Sequence, residues 1–240
     1  MLNTEKIKGI IFDYGGTLDS NGIHWAEVIW KAYVDHAIPV ERQAFREAYV
    51  YGERYLATHP VIKPHHTFRD LLLEKIKLQM SKLVESGFLA ETAKTSEYSI
   101  AVSDQCYNFA ISTLQKAKPV LDKLVSVYPL VLVSNFYGNV EAVLTDFGLI
   151  SYFDKIIESA VVGVRKPDPA IFSLGVEALG FLPEEIVVIG DSHSKDIIPA
   201  TKIGCRTIWI KGVGWEEDRE DLTADAVISD FNELEKVFNL

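Results

Sequence analysis

The sequence predicts an α/β protein, a doubly wound parallel sheet that carries an inserted all-helical unit. Three observations point there. Short runs of β-branched and other apolar residues recur, each stopping at a polar residue or glycine. Helical stretches separate those runs in the second half of the chain. Between the first run and the rest lies a block, from Asp19 to Lys118, made of long amphipathic stretches only.

The first run, Ile7 to Phe12, halts at Asp13 and the pair Gly15-Gly16, as a buried strand followed by a tight loop does. Amphipathic helices are predicted over 25–37, 41–57, 67–86 and 97–114. The stretch HPVIKPHH, His59 to His66, reads as an inter-helix loop. Strands follow at 130–133, 186–189 and 207–210, ending at Ser134-Asn135, at Gly190-Asp191 and near Gly212. Helices at 139–147, 169–179 and 194–203 alternate with them. The expected division is therefore a core of 1–18 and 116–240, with 19–115 inserted as the helical unit. Gly22 and Lys118-Pro119 are the expected hinges.

A chain of 240 residues, 48% hydrophobic, buries one substantial core or a core plus a smaller unit. Acidic residues outnumber basic ones 34 to 24, for a formal charge of -10, and no Lys/Arg stripe offers to neutralise phosphates, so nucleic acid is not an expected partner. Cys106 and Cys205 form no metal-type pair or disulfide framework, which fits a reducing cytoplasm. The apolar run before Asp13 is too short for a signal core or a membrane span. Oligomeric state is left open.

Asp13, Asp191 and Asp196 lie beyond strand ends that a parallel sheet brings together, and like charges held that close require a cation. Oxygen-only ligands favour a hard ion, and Mg²⁺ is expected over calcium or zinc. A phosphate beside it would find donors in Ser134, Asn135, Lys166 and the backbone amides after Asp13.

FDYGGTLD, VLVSN, VRKPDPAIF and GDSHSKD, in that order, resemble the four motifs of the haloacid dehalogenase-like superfamily. The resemblance implies a Rossmann-like core with a helical cap over 19–115. It implies that Asp13 is the nucleophile forming an aspartyl-phosphate, and that Lys166, the second catalytic residue, binds the transferring group together with Gly16, Ser134 and Asn135. Mg²⁺ would be held by Asp13, the Gly15 carbonyl, Asp191 and Asp196. The expected reaction is hydrolysis of a small phosphorylated metabolite.

One departure stands out: phosphatases of this superfamily carry a second Asp two residues after the nucleophile, and this chain has Gly15. A positioned acid–base group contributes roughly 10²- to 10⁴-fold in rate, so turnover is expected to be slow unless another residue serves. Asp19, His24, His65 and His66 are candidates, although Asp19 equally fits a turn cap and His24 a packing partner of Trp25. Arg46, Arg54, Lys63 and Arg69 fit either substrate contact or solvated helix faces. Trp25, Trp30, Tyr33, Tyr49 and Tyr55 fit a cap core, and Thr17 a turn cap. The alternatives are carbon–halogen cleavage, phosphonate cleavage through a cap lysine such as Lys31 or Lys63, and an impaired member that binds ligand without turning it over.

Overall fold

The computed structural model describes residues 2–214 and 223–240. Among these residues six strands, β1 (Gly9–Phe12), β2 (Leu130–Ser134), β3 (Lys155–Glu158), β4 (Ile186–Gly190), β5 (Arg206–Ile210) and β6 (Ala226–Ile228), form one sheet in the order β3-β2-β1-β4-β5-β6. Every pairing is parallel. Strands β1, β2 and β4 are buried throughout, which is why they read as continuous apolar runs and do not alternate. Their side chains still divide by face. Ile10, Phe12, Leu132 and Ile189 enter one core, while Ile11, Val133 and Val188 enter the other with Phe172.

The chain leaves β1 for β2 and β3 on one side, then crosses to β4 on the other. Strand order reverses there, which opens a crevice beyond the carboxyl ends of β1 and β4. Both strands lead directly into the residues singled out above, Asp13 and Asp191.

Helices α1 (Trp25–Asp35), α2 (Arg42–Thr58), α3 (Phe68–Glu85) and α4 (Ala93–Val125) make up the predicted helical block. Their starts are locally encoded: His24 caps α1 by accepting from the Ala26 amide, and Thr67 and Asp70 form a capping box at α3. The fourth helix differs from the expected 97–114. It extends through Lys118-Pro119, so the expected hinge there lies inside a helix. Proline removes one intrahelical bond. The apolar spacing nonetheless continues through Ala117, Val120, Leu121 and Leu124, all buried in the sheet-face core. At 33 residues the helix is roughly 50 Å long and packs against α1 and α3 and against the short 3-10 turns Ile150–Tyr152 and Phe231–Glu233.

The second half holds α5 (Val140–Asp146), α6 (Ser159–Val162), α7 (Ala170–Leu179), α8 (Ile198–Lys202) and α9 (Leu234–Phe238). The stretch expected as a helix from 194 to 203 opens with a turn of π-helix, His193–Ile197, before α8.

Candidate active site

Asp13 is the first residue past β1, and its amide donates to the Ile189 carbonyl of β4 at 3.0 Å, fixing it in the crevice. Asp191 is the first past β4. The π-helical turn brings Asp196 back, and its Oδ2 accepts from the Ser192 amide at 3.0 Å. One carboxylate oxygen from each of the three aspartates lies within 4.8 Å of the others. The Lys166 ammonium bridges two of them, at 2.6 Å from Asp13 and 2.7 Å from Asp196, and is itself buried.

Lys166 reaches the site from the loop between α6 and α7. That loop is braced by Asn135, whose side-chain oxygen accepts from the Lys166 amide at 2.9 Å and whose amide group donates to the Lys166 carbonyl at 3.0 Å. Asn135 keeps a second N–H and, like buried Ser134 at the end of β2, it lines the cavity over the site. Thr17 was expected to cap a turn. Its hydroxyl instead donates to Asp191 at 3.0 Å and lies 3.4 Å from Asp13, between two carboxylates. Gly16 has φ +99°, and a β-carbon there would fall 2.4 Å from Asp191 Oδ2. Only glycine lets the loop pass this close.

Three carboxylates against one ammonium carry a formal excess of two negative charges, with Asp13 and Asp196 buried. Burial and the charges of Asp13 and Asp196 push the Asp191 carboxyl well up. Asp196 is also raised, by burial, although Lys166 opposes the shift. Burial would lower the Lys166 ammonium, but Asp13 and Asp196 outweigh it and hold it protonated. The donor set, oxygen only and two charges in excess, fits a hard divalent cation.

The cavity over this cluster measures about 1190 Å³ and is walled by α1, α2 and α3 as well as by the strand ends. At Gly15 it is open: a β-carbon added there would meet nothing within 4 Å. Asp19 is buried with both oxygens engaged, by the Gly16 amide at 2.8 Å and the Trp25 indole N–H at 3.0 Å, and burial raises its carboxyl to about 7. The turn-cap reading therefore fits Asp19 better than a proton shuttle. His24 lines the cavity, but its Nδ1 is committed to the α1 cap.

Several expected candidates fall outside the cavity lining. His65 and His66 face each other beyond it. Lys31 pairs with Asp35, Lys63 with the Pro60 carbonyl and Arg69 with Asp104. Arg54 does line it, whereas Arg46 borders a separate depression on α2. Trp30 and Tyr33 pack on Phe45, and Tyr55 stacks on His59, while Trp25 and Tyr49 reach the cavity wall. Sequence reasoning missed Thr17 as a site residue and passed over Glu53, Lys75, Tyr137 and Arg165, all of which line the cavity. Glu53 and Lys75 sit on amphipathic helices, where a charge ordinarily marks a solvated face.

The model of the haloacid dehalogenase-like hydrolases matches residues 7–204. The chain belongs to this family. Among haloacid dehalogenase-like relatives, the glyceraldehyde 3-phosphate phosphatase of Pyrococcus furiosus is 30% identical over 97% of this chain and 93% of its own. The haloacid dehalogenase-like hydrolase domain-containing protein 3 of Danio rerio is 31% identical, but the match spans 43% of each chain. The phosphoserine phosphatase of Thermus thermophilus is 32% identical over 38% of this chain and 36% of its own. This chain thus spans well under half of the last two. Among solved structures, a dehalogenase with an intermediate complex superposes with a TM-score of 0.66 at 17% identity, covering 99% of this chain and 98% of the other. Magnesium-bound YfnB of Bacillus subtilis gives 0.60 at 18%, covering 98% and 99%. Both share the fold. No helix among the described residues is long and apolar enough to cross a membrane.

Proposed function

We propose that this hydrolase is a phosphatase that cleaves a small phosphorylated metabolite by way of an aspartyl-phosphate on Asp13. The observation that carries the reading is the buried Asp13–Lys166–Asp196 triad with Asp191 beside it, two negative charges in excess of its ammonium. Relatives named as phosphatases support the same reaction class.

In this reading Asp13 attacks phosphorus, the bond to the ester oxygen breaks and the alcohol leaves with a proton from solvent; water then attacks the aspartyl-phosphate, releasing phosphate and restoring Asp13. Lys166 draws the phosphoryl oxygens and holds the Asp13 and Asp196 carboxylates apart from each other's charge. Ser134 and the second Asn135 N–H bind the remaining oxygens, whereas the Gly16 amide expected to join them is already given to Asp19. Thr17 orients Asp191 and limits its freedom to rotate. A magnesium ion held by Asp13, the Gly15 carbonyl, Asp191 and Asp196 would supply electrostatic stabilisation of the charge on the transferring group. Residues 19–115 act as a cap that keeps bulk water from the reacting atoms.

A slow hydrolase is the form that Gly15 favours, since no side chain there moves a proton to the leaving oxygen. The phosphonate alternative needs a neutral cap amine. Lys75 is the cap lysine at the cavity wall; burial would lower its ammonium, but the Glu53 carboxylate 2.6 Å away outweighs this and raises it.

The deciding measurement is phosphate release from an aryl phosphate and a panel of phosphorylated metabolites, with and without Mg²⁺, beside Asp13→Asn. Release that needs both the metal and Asp13 supports the assignment. Release equal in Asp13→Asn, or none at all, removes it.

A further inference from the structure

The cap carries a charge pair that the chemistry at Asp13 does not use. Lys75 of α3 and Glu53 of α2 meet at 2.6 Å, and Tyr137, from the loop after β2, donates its hydroxyl to the other Glu53 oxygen at 2.7 Å. The Tyr137 ring covers the ammonium at 5.3 Å from its centroid. All three line the cavity that contains Asp13. Lysine is seldom buried without a partner, and a buried pair is weak evidence for stability because desolvation offsets its attraction. A pair placed in a binding cavity therefore asks what it would recognise.

Its open valences narrow the answer. The ammonium has three N–H groups and lies against Glu53 Oε1, which is buried, while Glu53 Oε2 accepts once, from Tyr137, and has a lone pair left. The Lys75 side chain is only 9% exposed, so with the ring over it the ammonium leaves room for one small acceptor. The Glu53 side chain is 32% exposed. A hydroxyl fits both constraints: it accepts from Lys75 and donates to Glu53 through one atom, and the pair stays intact. An amino acid or a second carboxylate would instead bring its own charges into the cavity and shed their hydration against a pair already neutral. Trp25 commits its only N–H to Asp19, so it offers the cavity carbon surface suited to the C–H face of a polyol.

We propose that Glu53, Lys75 and Tyr137 form a hydroxyl-reading subsite, and that the preferred substrates are phosphate esters of neutral polyols or aldoses. This rests on the phosphatase reading above and extends it from reaction to substrate class. Tyr137 lies three residues beyond Ser134, so the loop that closes the phosphate pocket also positions the subsite.

The test measures kcat/KM with the full chain for glycerol 3-phosphate, ribose 5-phosphate, O-phosphoserine and p-nitrophenyl phosphate. Glycerol or ribose phosphate is expected to exceed phosphoserine at least tenfold. In Glu53→Gln the ratio of polyol phosphate to aryl phosphate is expected to fall at least tenfold, chiefly through KM. Tyr137→Phe, which keeps both charges, is expected to lower the same ratio about threefold, so a folding failure of Glu53→Gln would not leave the matter undecided. Phosphoserine turned over as well as the polyol esters, or ratios unmoved in both variants, would overturn the subsite while leaving the phosphatase assignment standing. Absence of Asp13-dependent aryl phosphate release would remove both.

Discussion

At the scale of single residues, two adjacent glycines have opposite environments. Gly15 opens on the cavity with no atom within 4 Å of a β-carbon, so Gly15→Asp is expected to fold normally. If the missing acid limits turnover, phosphate release from alkyl esters should rise roughly 100-fold, the bottom of the range for a positioned acid. Esters with good leaving groups should gain less; an equal gain for both would show that proton transfer is not the limit. Gly16→Ala, in contrast, drives a methyl into the Asp191 carboxylate at a positive φ. We expect it to cost about 2 kcal/mol or more in urea unfolding and to abolish activity. These glycines also show what a sequence reveals of a site. Asp13, Asp191 and Asp196 could be singled out because each follows an apolar run or opens a helix, and Lys166 because it stands in the string VRKPDPAIF. Glu53 and Lys75 could not: their meaning depends on two helix faces meeting, and neither period nor composition records which face meets which.

Among elements, helix starts make the clearest predictions. His24 caps α1 through Nδ1, which must stay unprotonated to accept the Ala26 amide. Burial, aided by the Lys195 charge, lowers its pKa from 6.5 to about 4. The folded chain therefore binds fewer protons than the unfolded one between those values. The stabilisation is present above pH 6.5 and is lost as the pH falls toward 4, on the order of 3 kcal/mol. His24→Asn retains a capping side chain, and its unfolding free energy should vary less over that window. An unchanged slope would show that other groups set the acid limit. Glu158, buried at the end of β3, accepts from the Gly138, Asn139 and Val140 amides at the start of α5. Glu158→Ala should destabilise by roughly 2 kcal/mol in urea unfolding, since three amides lose their acceptor. Strand β3 itself escaped sequence reading. It is four residues long, begins with an exposed Lys155, and its capping glutamate is a charge where an apolar residue would have marked it. Helix α4 misled in the other direction, because Pro119 signals an end that buried leucines on either side override.

For the whole molecule, a cation that binds only the folded state couples the site to global stability. With free Mg²⁺ a hundredfold above its dissociation constant the gain is about 2.7 kcal/mol, which for a chain of this size corresponds to roughly 5–10 °C in Tm. Thermal melts should show that shift with Mg²⁺ and not with equivalent Na⁺, and Asp191→Asn should lose most of it. A shift equally large in the variant would place the cation elsewhere. The sheet order carries another consequence. Strand β1 pairs only with β2 and β4, so Ile10 waits for Leu130 and Val187. As these residues emerge from a ribosome, β1 has no sheet partner until more than a hundred further residues, helices α1 to α4 among them, have followed it. Contacts of such long sequence separation slow folding, and the exposed apolar strand invites mispairing with other nascent chains. The aspartates that follow β1 and β4 therefore share one crevice only after a pairing that spans most of the residues between them has formed.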